Sequence, residues 1–300
     1  MPVHLRPLHA SLAGTGGAVR RRLRRRAAAV VPVGVRRRVW YRRRFGRTFR
    51  SRAAVTFNDK VTWRILHDRR PLLEGTCDKL QMKEQAARLA GDLVRVPRTL
   101  WSGTDVAGLA GVGLPEHWVL KPNHSTQLVH MGHGRPDVDA LRRTTAGWVE
   151  EDLAARTGEW AYRSARPLLL VEELVGEPGA TPPDFKVFVY DGVPRLVLVH
   201  SGRSTDHRGR VYTPSWEPRP WAAGLPLGPD VPRPQRLDDM LAAAAALADG
   251  FDMLRVDFYE HDGVLWFGEL TPYPGSGLVE MDRELDEELG RWWRLPELPA

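Results

Sequence analysis

Apolar residues recur along this chain with two periods, near 3.6 and near 2, and each change of period marks an element. Val61, Ile65 and Leu66 share one side of a segment that Thr56 or Asn58 can cap, predicting a helix over residues 59–67. A second helix is expected over 78–90, ending near Gly91. Residues 117–121 read as a short strand stopped by Pro122, 137–156 as a helix, and 168–172 as a buried strand. Two hairpins follow: 184–190 and 195–201 flank Asp191-Gly192, and 253–260 and 264–270 flank Asp262-Gly263. Asp-Gly between alternating hydrophobic runs is a strong hairpin signal. Between the hairpins an alanine-rich helix over 237–249 stops at Gly250, and residues 203–233, rich in Pro, Gly and Trp, read as a long loop.

Charge divides the chain. Residues 1–52 hold sixteen arginines and no acid, while the rest carries 28 basic against 37 acidic groups, so the net +7 belongs to an arm on an acidic body. Nucleic acid is therefore not an expected partner of the body, and the arm lacks a reading motif. Its apolar interruption, residues 27–35 with Pro32 and Gly34, is too short to span a bilayer and has no cleavage site after it. Trp40, Tyr41, Phe45 and Phe49 among arginines suit an anionic membrane surface over residues 20–52; a partly disordered solvated tail is the alternative. Cys77 stands alone, which excludes an intrachain disulfide and a cysteine-built zinc site and fits the cytoplasm.

The last hairpin carries the chemistry. Asp257 and Glu269 stand on its two strands with Arg255 nearby, though strands ordinarily avoid acids. Such a set suits magnesium and phosphate; alternatively both acids face solvent and Arg255 pairs with one. A plain two-residue turn pairs Asp257 with Gly268 and turns Glu269 to the other face. One metal can take both carboxylates only if the register slips by one; Gly268 is the natural site for a bulge that does this, and a longer loop at the turn would serve as well. Lys79 opens a helix and Lys121 ends a strand, both suited to phosphate. The strand end from Glu172 through Glu173, Leu174 and Val175 either offers backbone to an adenine edge or bears two solvated acids.

These fragments, in this order, resemble the TupA-like branch of the ATP-grasp superfamily, a name associated with a teichuronopeptide cell-wall polymer. The resemblance rests on Phe57-Asn-Asp-Lys60 with Trp63 and Asp68, on Asp78-Lys79, Val119-Leu-Lys-Pro-Asn-His124 and Val171-Glu-Glu173. It continues through Pro183-Asp-Phe-Lys186, Arg255-Val-Asp257 and Gly268-Glu-Leu-Thr271 to Pro274-Gly-Ser-Gly277. It implies an α+β ATP-grasp fold in which two α+β lobes hold ATP, here over 116–175 and 176–292, after the basic arm (1–52) and a helical lead-in (53–115).

ATP and Mg²⁺ are the implied cofactors. Lys79, Lys121 and Lys186 would lie at the phosphates, Glu172 to Val175 at the adenine, and Asp184 at the ribose. Arg255 would reach the transferred phosphate, with Lys186 and Lys121 joining it in catalysis. Asp257 and Glu269 would hold Mg²⁺, with Thr271 as a weaker ligand where many relatives have Asn. Relatives carry glycines after His124, whereas this chain has Ser125-Thr-Gln-Leu128, with glycine only at Gly132 and Gly134. Candidate substrate contacts are Ser276 and Arg203, His207 and Arg208 of the long loop; an exposed basic loop is the alternative. His117, His124, His130 and His133 lie near one another in sequence without a metal-site spacing.

The implied activity is a carboxylate–amine ligase working through an acyl phosphate in cell-envelope polysaccharide or peptide biosynthesis. It would be cytoplasmic, with peripheral attachment at the inner face of the membrane. A hydroxyl kinase using the same grip is the second reading. The third is a degenerate ATP-grasp protein that binds anionic membrane or polymer through its arm.

Overall fold

Ten strands form two antiparallel sheets, each laid down largely by one half of the chain, in a computed structural model that describes residues 31–179, 182–203 and 205–298. Helices α1 (Val33–Phe45), α2 (Phe57–His67) and α3 (Lys79–Leu89) come first. Strands β1 (Thr99–Gly103), β2 (His117–Pro122), β3 (His130–His133) and β4 (Leu169–Glu173) make a sheet ordered β1-β4-β2-β3. The second sheet takes β5 (Asp184–Tyr190), β6 (Val193–Ser201), β7 (Arg208–Tyr212), β8 (Pro218–Arg219), β9 (Met253–His261) and β10 (Val264–Thr271). Its order is β10-β9-β5-β6-β7-β8. Short helices α4 (Val138–Thr144) and α5 (Leu153–Thr157) precede β4, α6 (Leu237–Leu247) precedes β9, and α7 (Arg283–Trp292) follows β10. The class is α+β, as the sequence implies.

Each sheet has its own apolar core. Trp118, Leu120, Leu169 and Val171 pack with Val106, Leu109 and Leu141 behind the first. A larger cluster joins Val187, Val256, Phe258 and Phe267 to Ile65 of α2, Met82 of α3 and Met240 of α6. The stretch between α3 and β1 ties the sheets together: Arg95 donates to the Leu265 carbonyl (2.8 Å) and accepts from Phe267 N (2.9 Å), covering the β10 edge.

Local chemistry explains the helix starts. Thr56 and Asp59 form a reciprocal capping box on α2, and the Asp78 carboxylate caps α3 through Gln81 N at 3.0 Å. Arg64 of α2, fully buried, donates to the Met253 and Pro272 carbonyls (2.8 and 3.1 Å) and to Asp252 (2.7 Å). It thereby grips the last hairpin at its open end, where both strands meet α2.

Four expectations need correction. Residues 137–156 are not one helix: left-handed Gly147 (φ 81°) interrupts them, and Asp152 caps α5 separately through Ala155 N at 2.7 Å. The stretch 203–233 is not wholly loop, because β7 and β8 extend the second sheet through it. The first sheet begins before residue 116, since β1 pairs with β4. Nor does the arm stay off the body up to residue 52. Within α1, buried Arg37 donates to Ser276 Oγ (3.0 Å), the Ser276 carbonyl and Thr62 Oγ1 (3.2 Å), and Tyr41 donates to Asp59 at 2.5 Å. Buried hydrogen-bond partners, invisible in composition, drew in this part of the basic run. Its Arg20–Arg26 portion lies outside the described residues.

Candidate active site

Gly268 determines how the last hairpin presents its acids. Val264 to Phe267 pair with His261 to Phe258 in the simple register, and beyond Gly268 the ladder resumes with Glu269 opposite Asp257 and Thr271 opposite Arg255. The register slips at Gly268, as expected from the sequence, and sets Glu269 on the same face as Asp257. A Cβ on Gly268 would lie 2.8 Å from the Asp257 carbonyl oxygen, so the close approach admits no side chain.

Pairing with β5 completes one polar face, with Lys186 opposite Asp257 and Asp184 opposite Tyr259. Arg255 grips Asp257 with two bonds of 2.7 Å and reaches Glu269 Oε1 (3.2 Å) and Thr271 Oγ1 (3.1 Å). Lys186, 4% exposed, bridges Asp257 (2.6 Å) and Asp184 (2.7 Å), and Arg203 pairs with Asp184 from the loop after β6. Burial alone would raise the Asp257 carboxyl, but Arg255 and Lys186 hold it well below the usual range. The same acids, Asp257 and then Glu269, overcome burial at Arg255 and strengthen its charge. The alternative in which both acids simply face solvent does not hold for Asp257, which is 2% exposed.

The first sheet and α3 supply the other half. Buried Glu172 is no solvated acid: it pairs with Lys121 of β2 and with Lys83 of α3 (2.8 Å). Lys79 donates to the Ser125 carbonyl in the loop after β2. Burial and the neighbouring Lys121 pull the Lys79 ammonium down to about 8, while Glu269 and Glu172 oppose the shift. Lys79 thus feels acids of both sheets. Buried Asn123 sets the approach of α3, accepting from Leu80 N (2.9 Å) and donating to the Arg166 carbonyl (3.1 Å).

Other sequence-chosen residues scatter. Asp184, expected at a ribose, is 1% exposed beneath Lys186 and Arg203. Glu173 N bonds to the Arg98 carbonyl (3.1 Å) and its carboxylate to Arg98 (2.7 and 3.1 Å), leaving half-buried Leu174 and Val175 for an adenine edge. Arg203 and His207 join the polar face; Arg208 does not. Arg208 pairs in register with Ser201, one residue out of phase with His200, and bonds to Asp206 (2.6 Å) and the Leu227 carbonyl (3.2 Å). Ser276 belongs to the α1 contact through Arg37.

Two residues escaped the sequence reading. Lys83 lies one turn beyond Lys79, and that i, i+4 pair was the available signal. His200 stands opposite Asp184 across β5 and β6 with its ring on His207 (centroids 5.0 Å, interplanar angle 80°). Neither of its ring nitrogens has a partner among the described residues. Burial, with Lys186 and Arg255, pushes its imidazole down to about 2, making it a neutral hydrogen-bonding group and a weak base. Only register, which sequence shows poorly, brings it to the site.

Asp257, Glu269 and Thr271 form a hard-oxygen donor set around the Arg255 guanidinium, a cation already held between both acids, and so fit Mg²⁺. Lys186, Arg203 and Arg255 lie on the face of these acids, and Lys79, beside Lys121, feels Glu269, which together gather the charge a polyphosphate needs.

A family model described as TupA-like ATPgrasp matches residues 59–293 of the chain. No curated protein matches it. Among solved structures, the D-alanine–D-alanine ligase of Helicobacter pylori shares 15% identity at a TM-score of 0.43, over 75% of this chain and 60% of that one. The corresponding Bacillus anthracis ligase shares 15% at 0.39, over 67% and 58%. An L-amino acid ligase from Bacillus licheniformis shares 14% at 0.43, over 78% and 50%. The chain therefore spans less than two thirds of each of these ligases, and likeness at this level says nothing of its own substrates.

Proposed function

Since the chain belongs to the TupA-like ATP-grasp family, we propose that it is an Mg-ATP-dependent ligase joining a carboxylate to an amine through an acyl phosphate. The observation that carries this reading is the Arg255 guanidinium bridging Asp257 and Glu269 across the Gly268 bulge, with Lys186 on Asp257 and Lys79 close enough to feel Glu269. That arrangement concentrates positive charge around two metal-capable acids, as phosphoryl transfer demands.

In this reading Lys79, Lys121 and Lys186 bind the phosphates, and Leu174 and Val175 offer backbone to the adenine. Arg255 contacts the transferred phosphoryl group. Asp184 orients Lys186 rather than contacting ribose, and Glu172 positions Lys121 and Lys83. Mg²⁺, held by Asp257, Glu269 and Thr271, would supply charge neutralisation at the phosphates. A substrate carboxylate oxygen bonds to the γ-phosphorus as its bond to ADP breaks. An amine then attacks the acyl carbon, loses a proton and expels phosphate. Arg203 and His207, beside the polar face, suit the acceptor carboxylate, and neutral His200 offers a hydrogen bond to the amine.

Calorimetric titration of Mg-ATP into the full chain tests the site, using Asp257→Asn and Glu269→Gln as variants. Full length matters because α1 is part of the body. Magnesium-dependent binding that weakens in both variants supports the reading; a folded wild type that binds no Mg-ATP overturns it. With substrates in hand, ADP, phosphate and an amide mark the ligase, whereas a phosphorylated hydroxyl marks the kinase.

The envelope setting is part of the same proposal and draws on α1. Its inner side, Arg37 and Tyr41, is locked to the body, while Val35 and Val39 on its outer side are exposed with Arg38, Arg42 and Arg43, as is Val31 just before the helix. Val35 and Val39, one helical turn apart and flanked by arginines, suit an anionic membrane surface. No helix among the described residues is long and apolar enough to cross a membrane.

A further inference from the structure

At the open end of the β2–β3 hairpin, His117 and His133 stand directly opposite each other, their rings 4.8 Å apart and inclined at 66°. Glu116, one residue earlier, accepts Gly134 N at 2.6 Å through its carbonyl, adding a rung to the ladder. Its carboxylate lies 3.3 Å from His133 Nε2, and one ligand atom from each of the three residues falls within 4.8 Å of the others. We infer that Glu116, His117 and His133 form a binding site for a divalent transition-metal ion such as Zn²⁺.

Two imidazoles and a carboxylate are the donors that zinc and its neighbours favour, whereas Mg²⁺ prefers an all-oxygen shell. Tetrahedral bonds of about 2.0–2.1 Å set ligand atoms roughly 3.3 Å apart. The Glu116–His133 separation already matches this spacing, and His117 needs only a side-chain adjustment. The site opens to solvent, which leaves a fourth position for water.

The framework under these side chains is stiff. Trp118, 2% exposed, donates its indole N–H to the Gly134 carbonyl at 2.9 Å. Gly132 lies flat on that indole, since a Cβ there would come within 2.2 Å of the ring. Both strands are therefore held in register immediately beside the two histidines. The fifteen residues between His117 and His133 hide the pair in the sequence, and the ladder reveals it. An ion here joins β2 to β3 at the end of the hairpin opposite the loop that docks Lys79 at Ser125. The site stands independently of the nucleotide reading.

Zn²⁺ titrated into the full chain, in buffer containing Mg²⁺, is expected to bind with one-to-one stoichiometry. His117→Gln and His133→Gln should each weaken binding by roughly tenfold or more, the loss that even an outer partner of a metal ligand causes. Glu116→Gln should weaken it less. His130→Gln, on the same hairpin but with its ring beside Trp118, should bind as the wild type does. Zinc should raise the Tm of the wild type and of His130→Gln and leave that of the His117→Gln/His133→Gln double variant unchanged. Equal metal-free Tm values establish that the variants fold. The inference is overturned if the wild type binds no zinc with that stoichiometry, or if the double variant retains wild-type affinity.

Discussion

Glycine 268 makes a sharp test of the site because it acts only through the backbone. The alanine Cβ would meet the Asp257 carbonyl oxygen at 2.8 Å and the Tyr259 ring at 3.3 Å. Gly268→Ala should thus cost about 1–3 kcal/mol, as overpacking does, read as a lower urea midpoint. It should weaken Mg-ATP binding further by separating Asp257 from Glu269; unchanged affinity would detach the bulge from the site. Lys79 gives a test in pH. Its ammonium titrates near 8 in the free protein because burial and Lys121 disfavour the charge. A phosphate contact needs that charge, so Mg-ATP affinity should hold below pH 8 and weaken above it, approaching tenfold per pH unit. Lys79→Arg, charged throughout, should flatten the profile.

At the scale of elements, α1 shows where composition misled. Thr56, Asp78, the Asp-Gly turns and the Gly268 bulge are local signals, and the helices, hairpins and register they imply are present. Arg37 carries no such signal: among many arginines, only the three-dimensional partners Ser276 and Thr62 distinguish it. The same holds for His200 and for Arg208, whose faces depend on the pairing of β6 with β7. Arg37→Ala should strip charged donors from the half-buried Ser276 carbonyl and the buried Thr62 hydroxyl and cost about 2–3 kcal/mol in chemical denaturation. Arg38→Ala, on the exposed side of the same helix, should change stability little. Equal effects would mean that α1 is not held by its Arg37 contact.

Across the whole molecule the charge division gains a direction once α1 is seen on the body. An acidic body is repelled by an anionic bilayer, so any attraction must come from the basic segment and from the side of α1 turned outward. There, Val35 and Val39 are 47% and 43% exposed, on the same side as exposed Arg38, Arg42 and Arg43. Each arginine near such a surface contributes about 1 kcal/mol, over a range limited by a Debye length near 10 Å at 0.1 M salt. The full chain should therefore sediment with vesicles containing phosphatidylglycerol, far less with pure phosphatidylcholine, and should be released as salt rises. The double variant Val35→Asp/Val39→Asp should reduce sedimentation while leaving Mg-ATP affinity unchanged, because both side chains point away from the contacts α1 makes with the body. Sedimentation indifferent to lipid charge would remove the electrostatic basis for the membrane setting. Binding that keeps its salt dependence but ignores the valine changes would shift the attachment from α1 to the arginines before it.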